Sequence, residues 1–320
     1  MKKVTLLCLF LVASFILVAC GSNGTDGQDN QEGGDGNTED ITIGYAINTL
    51  NNPFFVEVKE SAEAAAEELG VNISVVNANG DLSQQISGVE DLVQQQVDVL
   101  IVDPVDSEGS LTAINGAVEA GIPVITTGRS IEGADVVTHM GYDEVKNGEV
   151  AGEFLAEQLG GEGKVIELQG TLGTDVANNR SEGFNNALSE HPDIEVVSSQ
   201  SADFDRTEGM NVTENILQSH SEIDGLYAAN DEMGLGALQA LNSNNLSDVI
   251  VVSNDGTAEA LNSVKDGELT GTMAVSPKAY GEEAVVVAID VVKGEEQPEF
   301  IELPSEFVSI ENVEEFLTDQ

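Results

Sequence analysis

Beyond about residue 40 the chain alternates between two textures. Short runs rich in Val, Ile and Leu read as strands at 41–47, 72–77, 97–102, 123–127 and 136–140. Longer stretches with apolar residues at helical spacing read as helices at 53–69, 82–95 and 110–120. The series then restarts, with strands predicted at 164–168, 195–199, 225–229, 249–253 and 269–275. Helices are predicted at 144–159, 177–189, 207–219, 232–242, 258–265 and 277–292. Strand–helix–strand alternation implies parallel sheets with helices on both faces. Ten strands exceed what one compact sheet usually holds, so the expected fold class is α/β with two Rossmann-like lobes. Ligands of such sheets bind beyond the carboxyl ends of the strands, and two facing lobes would line one cleft with both sets of ends.

The segment before residue 40 has another character. Lys2 and Lys3 precede an apolar run over 4–19 broken only by Thr5 and Ser14. That run is too short to span a bilayer comfortably and reads as a secretory leader. It ends Leu17-Val18-Ala19-Cys20, which resembles the lipobox of bacterial lipoproteins. The resemblance implies that residues 1–19 are removed and that Cys20 carries the lipid. Residues 20–39 are mostly Gly, Asn, Asp, Gln and Glu without a run of apolar residues to anchor them, a disordered tether. The expected location is extracytoplasmic, held to the outer face of the cell membrane through Cys20.

Charge removes further classes. Eleven basic residues stand against 58 acidic ones, a formal charge of −47. Nucleic acid is not an expected partner, because phosphate binding needs clustered Lys and Arg. A repulsive, solvated acidic surface suits salty surroundings, so a halophilic source is expected. Cys8 leaves with the leader and Cys20 is the lipid site, which removes thiol chemistry from the mature chain. His139, His191 and His220 lack metal-ligand spacing, and no cofactor is expected. There is no nucleophile elbow, phosphate loop or GxGxxG, so the chain does not read as an enzyme. A glycosidase would need a carboxylate pair, and the acids are too many to single one out.

The chain holds three arginines, Arg129, Arg180 and Arg206, each following the end of a predicted strand. Guanidinium forks bind paired oxygens in fixed geometry. Asn52 and Pro53 suit a helix start, and Phe54, Phe55 and Phe204 stand at strand ends where rings can stack on the apolar faces of a sugar. Asn230 and Asp255 close two further strands and can bond hydroxyls, although an Asp or Asn there is also an ordinary helix cap.

Thr49-Leu-Asn-Asn-Pro-Phe-Phe, Val165-Ile-Glu-Leu-Gln-Gly, Arg180-Ser-Glu-Gly-Phe, Ala202-Asp-Phe-Asp-Arg, Asn230-Asp-Glu-Met-Gly-Leu-Gly-Ala-Leu and Asp255-Gly-Thr resemble the ribose-binding proteins of bacterial ABC sugar importers, in order from 40 to 303. The resemblance implies a type I periplasmic-binding fold of two lobes joined by three hinge crossings, near 141–142, 275–276 and 304–305. The implied N-terminal lobe is 40–141 plus 276–304, and the C-terminal lobe 142–275 plus 305–320. It implies a monomer that captures a monosaccharide and delivers it to an ABC transporter permease. An alternative is a receptor that presents a sugar or furanosyl signal to a membrane sensor. Carried over residue by residue, Phe54, Phe55 and Phe204 would sandwich the ring, while Asn52, Arg129, Arg180, Asn230 and Asp255 would bond its hydroxyls. Arg206 would stand behind Phe204. Replacing Arg180 by Ala would then abolish binding and spare the fold.

Three positions depart from the family. Gly128 stands where it carries Asp, Val275 where it carries Gln, and Asn254 where it carries Phe. Each hydroxyl left unpaired costs about 1–3 kcal/mol. The expected ligand is therefore a relative of D-ribose: a deoxy sugar, a pentitol, another pentose or a furanosyl signal.

Overall fold

The computed structural model describes residues 41–131 and 133–317. The leader, Cys20 and the tether lie outside the described residues. Described in chain order, the first stretch holds β1 (Thr42–Ile47), α1 (Pro53–Leu69), β2 (Asn72–Asn77), α2 (Leu82–Gln94), β3 (Val99–Val102), α3 (Leu111–Glu119), β4 (Val124–Thr127) and β5 (Thr138–Gly141). The second holds α4 (Glu144–Gln158), β6 (Glu162–Gln169), α5 (Asp175–Ser189), β7 (Asp193–Ser201), α6 (Arg206–Leu217), β8 (Gly225–Ala228), α7 (Asp231–Ser243), β9 (Ile250–Asp255), α8 (Ala258–Asp266) and β10 (Gly271–Val275). Then come α9 (Pro277–Lys293), β11 (Phe300–Glu302), β12 (Ser305–Ser309) and α10 (Val313–Phe316).

The strands form two six-stranded sheets, ordered β2-β1-β3-β4-β5-β11 and β7-β6-β8-β9-β10-β12. The pairs are parallel except β10 with β12. The α/β class and the two lobes expected from the alternation are therefore present. Each order reverses direction once, between β1 and β3 and between β6 and β8, and the crevice at such a point is where open sheets bind ligands. The chain leaves the first sheet after Gly141, leaves the second after Val275, and passes between the two again between Glu302 and Ser305.

The two last strands and α10 go beyond the sequence reading. The run Phe300-Ile-Glu-Leu-Pro-Ser-Glu-Phe-Val is split by Pro304, which cannot donate to a ladder. The halves pair with different sheets, and neither is long enough to announce itself.

Burial explains the uniformly apolar strands. Along β3, Val99 and Ile101 pack under α1 and α9, while Leu100 and Val102 pack under α2 and α3. A strand covered on both faces has no polar side to show. Helices are ended by backbone chemistry: Asn52 accepts from the Phe54 N–H at the start of α1, and Gly70 closes it with φ 71°. Neighbouring helices touch through glycine. A Cβ on Gly183 of α5 would lie 1.9 Å from the Val145 carbonyl oxygen of α4, and one on Gly236 of α7 would lie 2.1 Å from that of Arg206 in α6. Gly281 of α9 approaches the Val58 carbonyl of α1 in the same way.

Candidate ligand-binding site

The carboxyl ends of both sheets open onto one cavity of about 510 Å³. That lies within the usual range of small-molecule sites. Asn52, Phe54, Phe55, Arg129, Arg180, Phe204, Asn230 and Asp255 all line it, as does Arg206.

On the first-lobe side the loop after β1 carries Asn52 as the cap of α1, its Oδ1 fixed by the Phe54 N–H at 2.9 Å. Phe54 stands edge-on to Phe55 at 5.2 Å and to Tyr280 at 5.9 Å. Arg129 follows β4. Its Nη1 donates to the Pro104 and Val105 carbonyls at 3.0 and 2.7 Å, and the guanidinium lies 6.0 Å from the Phe204 ring of the other lobe. Among the described residues Nε and Nη2 of Arg129 have no partner, which leaves two donors for a ligand.

On the second-lobe side the arginines are differently engaged. Arg180 of α5 gives Nε and Nη2 to Glu144 at 2.7 and 3.0 Å. Its Nη1 reaches the Ala229 carbonyl at 2.7 Å and Asp255 at 3.4 Å. With its amide oxygen turned toward the guanidinium, Asn254 accepts from Nη2 and Nη1 at 3.0 and 3.1 Å. Arg206 is held by Glu232 and Glu259. Its charge is stabilised above the ordinary range by the Glu259 bond first, against some burial. Asn230 caps α7 through Met233 N–H at 3.0 Å, leaving Nδ2 beside the Phe204 carbonyl at 3.4 Å.

The environment of Arg180 bears on what its removal would do. Burial works against its charge, but Glu144 more than offsets that and holds it above the ordinary range. Removing Arg180 would leave Glu144 and Asp255 buried without a cation, and breaking such a pair costs about 3–5 kcal/mol. Arg180→Ala would thus damage the fold as well as the site. Arg180 carries one positive charge between two acids, and Glu144 takes the better geometry. Asp255 is left with burial pushing its carboxyl well above the usual carboxylate range.

Two loops hold strained backbone. Phe204 has φ 58° and Asp255 φ 135°, both unusual for residues with a Cβ. Phe204 is pressed onto Gly170 at the end of β6, where a Cβ would lie 2.0 Å from the ring's Cζ. Asp231, one residue past Asn230, turns inward instead of facing the cleft. It accepts from Ser253 Oγ at 2.5 Å, Thr257 N and Oγ1 at 2.7 and 2.9 Å, and Thr272 Oγ1 at 2.7 Å, tying the ends of β8, β9 and β10.

The sequence reading missed Asp103, Tyr142, Glu144 and Tyr280, which also line the cavity. Asp103 follows the apolar run of β3, a strand-end signal of the same kind as Asp255. Glu144 and Tyr280 had no such signal, since both belong to helices that follow crossings between the sheets. The departures resolve as follows. Gly128 lines the cavity with φ 66°, where a Cβ would meet the Tyr280 hydroxyl at 2.8 Å. Val275 is buried with Tyr280 and Leu303 in the first-lobe core. Asp175 of α5 reaches across the cleft, accepting from Ser130 N and Oγ at 2.7 and 2.6 Å and from Ser107 Oγ at 3.4 Å.

The chain matches the periplasmic binding protein domain over residues 43–296. It is 42% identical to the ribose import binding protein of Bacillus subtilis over 95% of this chain and 98% of that one. It is 43% identical to the ribose import binding protein of Salmonella typhimurium over 79% and 86%. A solved ABC transporter solute-binding protein from Bacillus halodurans, with bound myo-inositol, is 34% identical and superposes with a TM-score of 0.84 over 89% of this chain and 100% of that one. With two sheets of this order facing one cleft, the chain belongs to the periplasmic binding proteins, among the ribose-type sugar-binding proteins of bacterial ABC importers.

Proposed function

We propose that this chain is an extracytoplasmic lipoprotein that captures a monosaccharide or closely related polyol in the cleft and delivers it to an ABC importer. The observation that carries the reading is the convergence of Phe54, Phe55 and Phe204 with Arg129, Asn52, Asn230 and Asp255 on one cavity between the sheets. Apolar ring faces and directional polar groups match a sugar, which is apolar above and below and polar at its rim. Within that reading Phe54, Phe55 and Phe204 flank the ring, and Arg129 supplies the free donors. Arg180 holds Asp255 and Glu144 in place while touching the ligand with what geometry remains.

The mechanism is lobe closure. In this reading the described parts of 40–141 plus 276–304 act as one lobe and those of 142–275 plus 305–320 as the other, turning about the three passages between the sheets. Ligand contacts from both lobes favour the closed state, and closure changes the surface offered to the permease. Lipid on Cys20 would keep the monomer beside that permease, and the acidic surface is suited to a saline exterior.

The test is mass spectrometry of the small molecule released from the purified protein by mild denaturation, followed by titration of that compound into the wild type and Phe204→Ala. A sugar or polyol that binds the wild type and loses about 10- to 100-fold in the variant supports the reading; loss of a ring contact of about 1.5–3 kcal/mol has that size. A non-carbohydrate ligand, or unchanged affinity, refutes it.

A further inference from the structure

Gly128 offers no side chain to the cleft, yet a carboxylate stands beside it. β3 and β4 are adjacent and parallel, with Val102 opposite Thr126. The next residue of β3 therefore ends beside the turn at 128. That residue is Asp103, 1% exposed, and its Oδ1 lies 3.6 Å from where a Gly128 Cβ would be. The same Cβ would collide with the Tyr280 hydroxyl at 2.8 Å. A side chain at 128 would have to displace the Tyr280 hydroxyl and accept a left-handed φ, and Gly128 avoids both.

The buried polar atoms around this spot are poorly paired with the protein. Asp103 Oδ2 and Asn48 Nδ2 are buried and unpaired, the buried Tyr280 hydroxyl has only the Thr127 side chain beside it, and all three residues line the cavity. The buried Tyr45 hydroxyl likewise has only Thr127 beside it. Buried polar groups are nearly always paired, so a cluster of poorly paired atoms at a cavity floor marks places reserved for something else. The donors across the cleft, on Arg180 and Arg206, are by contrast committed to the protein. Arg129 faces Asp103 but forms no ion pair with it among the described residues, and burial pushes the Asp103 carboxyl up to about 7, with Arg129 opposing and Asp175 reinforcing. A cationic ligand would meet Arg129, Arg180 and Arg206 in the same cavity. A neutral hydroxyl donor would not.

We propose that Asp103, supported by the Tyr280 hydroxyl and Asn48, is the specificity-determining residue of this cleft. From the end of the strand beside the bare turn at 128, it accepts hydrogen bonds from hydroxyls of a neutral polyhydroxylated ligand. The assignment rests on the sugar reading above. Asp103 and Tyr280 approach this spot from β3 and α9, not from β4, and so fix the direction in which a ligand hydroxyl is met. The preference among related polyols should follow.

The experiment titrates D-ribose, 2-deoxy-D-ribose, xylitol and myo-inositol into the full chain and its Asp103→Asn and Tyr280→Phe variants, with melting temperatures recorded without ligand at pH 8. The expected result is a loss of at least tenfold for the probe that the wild type binds most tightly, with the spread among the four probes narrowing at least tenfold. The unliganded Asp103→Asn melting temperature should hold or rise, because an unpaired buried carboxylate has been removed; a merely structural residue would lower stability and affinity together. Tyr280→Phe, which removes only the hydroxyl at the cavity floor, should shift the order in the same direction. Variants that keep wild-type affinities and order overturn this assignment and leave the sugar reading intact. A wild type that binds none of the four has no such preference for Asp103 to set and overturns this assignment, while the sugar reading is decided by the identity of the released compound.

Discussion

Asp175 is the one side chain that fastens the two lobes to each other at the mouth of the cleft by short bonds among the described residues. It begins α5, and its carboxylate accepts from the Ser130 backbone at 2.7 Å, the Ser130 hydroxyl at 2.6 Å and, weakly, Ser107 at 3.4 Å. Hydrogen bonds to a charged group contribute about 1.5–3 kcal/mol each when dry. At a solvated rim, water replaces them on opening, and about 2 kcal/mol for the set is reasonable. Asp175→Ala removes it. The helix-start contribution of the same carboxylate is lost equally from open and closed forms and cancels. The closed-to-open ratio should therefore fall about 30-fold, since 1.4 kcal/mol is a factor of ten. If the unliganded protein is mostly open, the whole factor enters the apparent affinity; if it is mostly closed, the change shows as expansion of the unliganded particle. Calorimetry and small-angle scattering read the two cases. An affinity within twofold of wild type together with an unchanged unliganded profile would refute the latch.

Two further outcomes follow from the site. Gly170→Ala puts a methyl where the Phe204 ring now lies, at 2.0 Å, so the ring must leave its place; unfolding should show a loss of about 1–3 kcal/mol and titration at least a tenfold weaker ligand. For Asp103, faced by Arg129, Asp175, Tyr45 and Tyr280, burial raises the carboxyl from 3.8 to about 7. A proton held more tightly in the folded state stabilises it at low pH, and this stabilisation is lost as pH climbs from about 4 through 7. The loss approaches about 4 kcal/mol at most. Urea unfolding of unliganded wild type and Asp103→Asn at pH 5 and pH 8 should diverge in the variant's favour at pH 8, and an equal gap at both values would contradict the assignment.

The layout of this chain was open to reading because its signals are local. Asn52-Pro53 and the later Gly70 bound α1 by caps that any sequence displays. The double burial of β3 shows as Val-Leu-Ile-Val. The arginines stood out because there were three against 58 acids. What they do once placed was hidden. Arg180 looked like a free fork and is largely claimed by Glu144, an acid with no mark to set it apart from the rest. Tyr280 reaches the cleft only because the chain crosses back to the first lobe at Ser276, a long-range fact that no spacing encodes. Pro304 conceals two strands because their partners belong to different sheets.

The glycine seams between helices carry a consequence for how capture proceeds. At Gly183, Gly236 and Gly281 one backbone rests directly on its neighbour's carbonyl, with no flexible side chain between them to act as a cushion. Blocks joined so closely have little slack to give up when a guest arrives. Trapping then orders almost nothing in the interior, and the heat-capacity change should report dehydration of the mouth and floor alone.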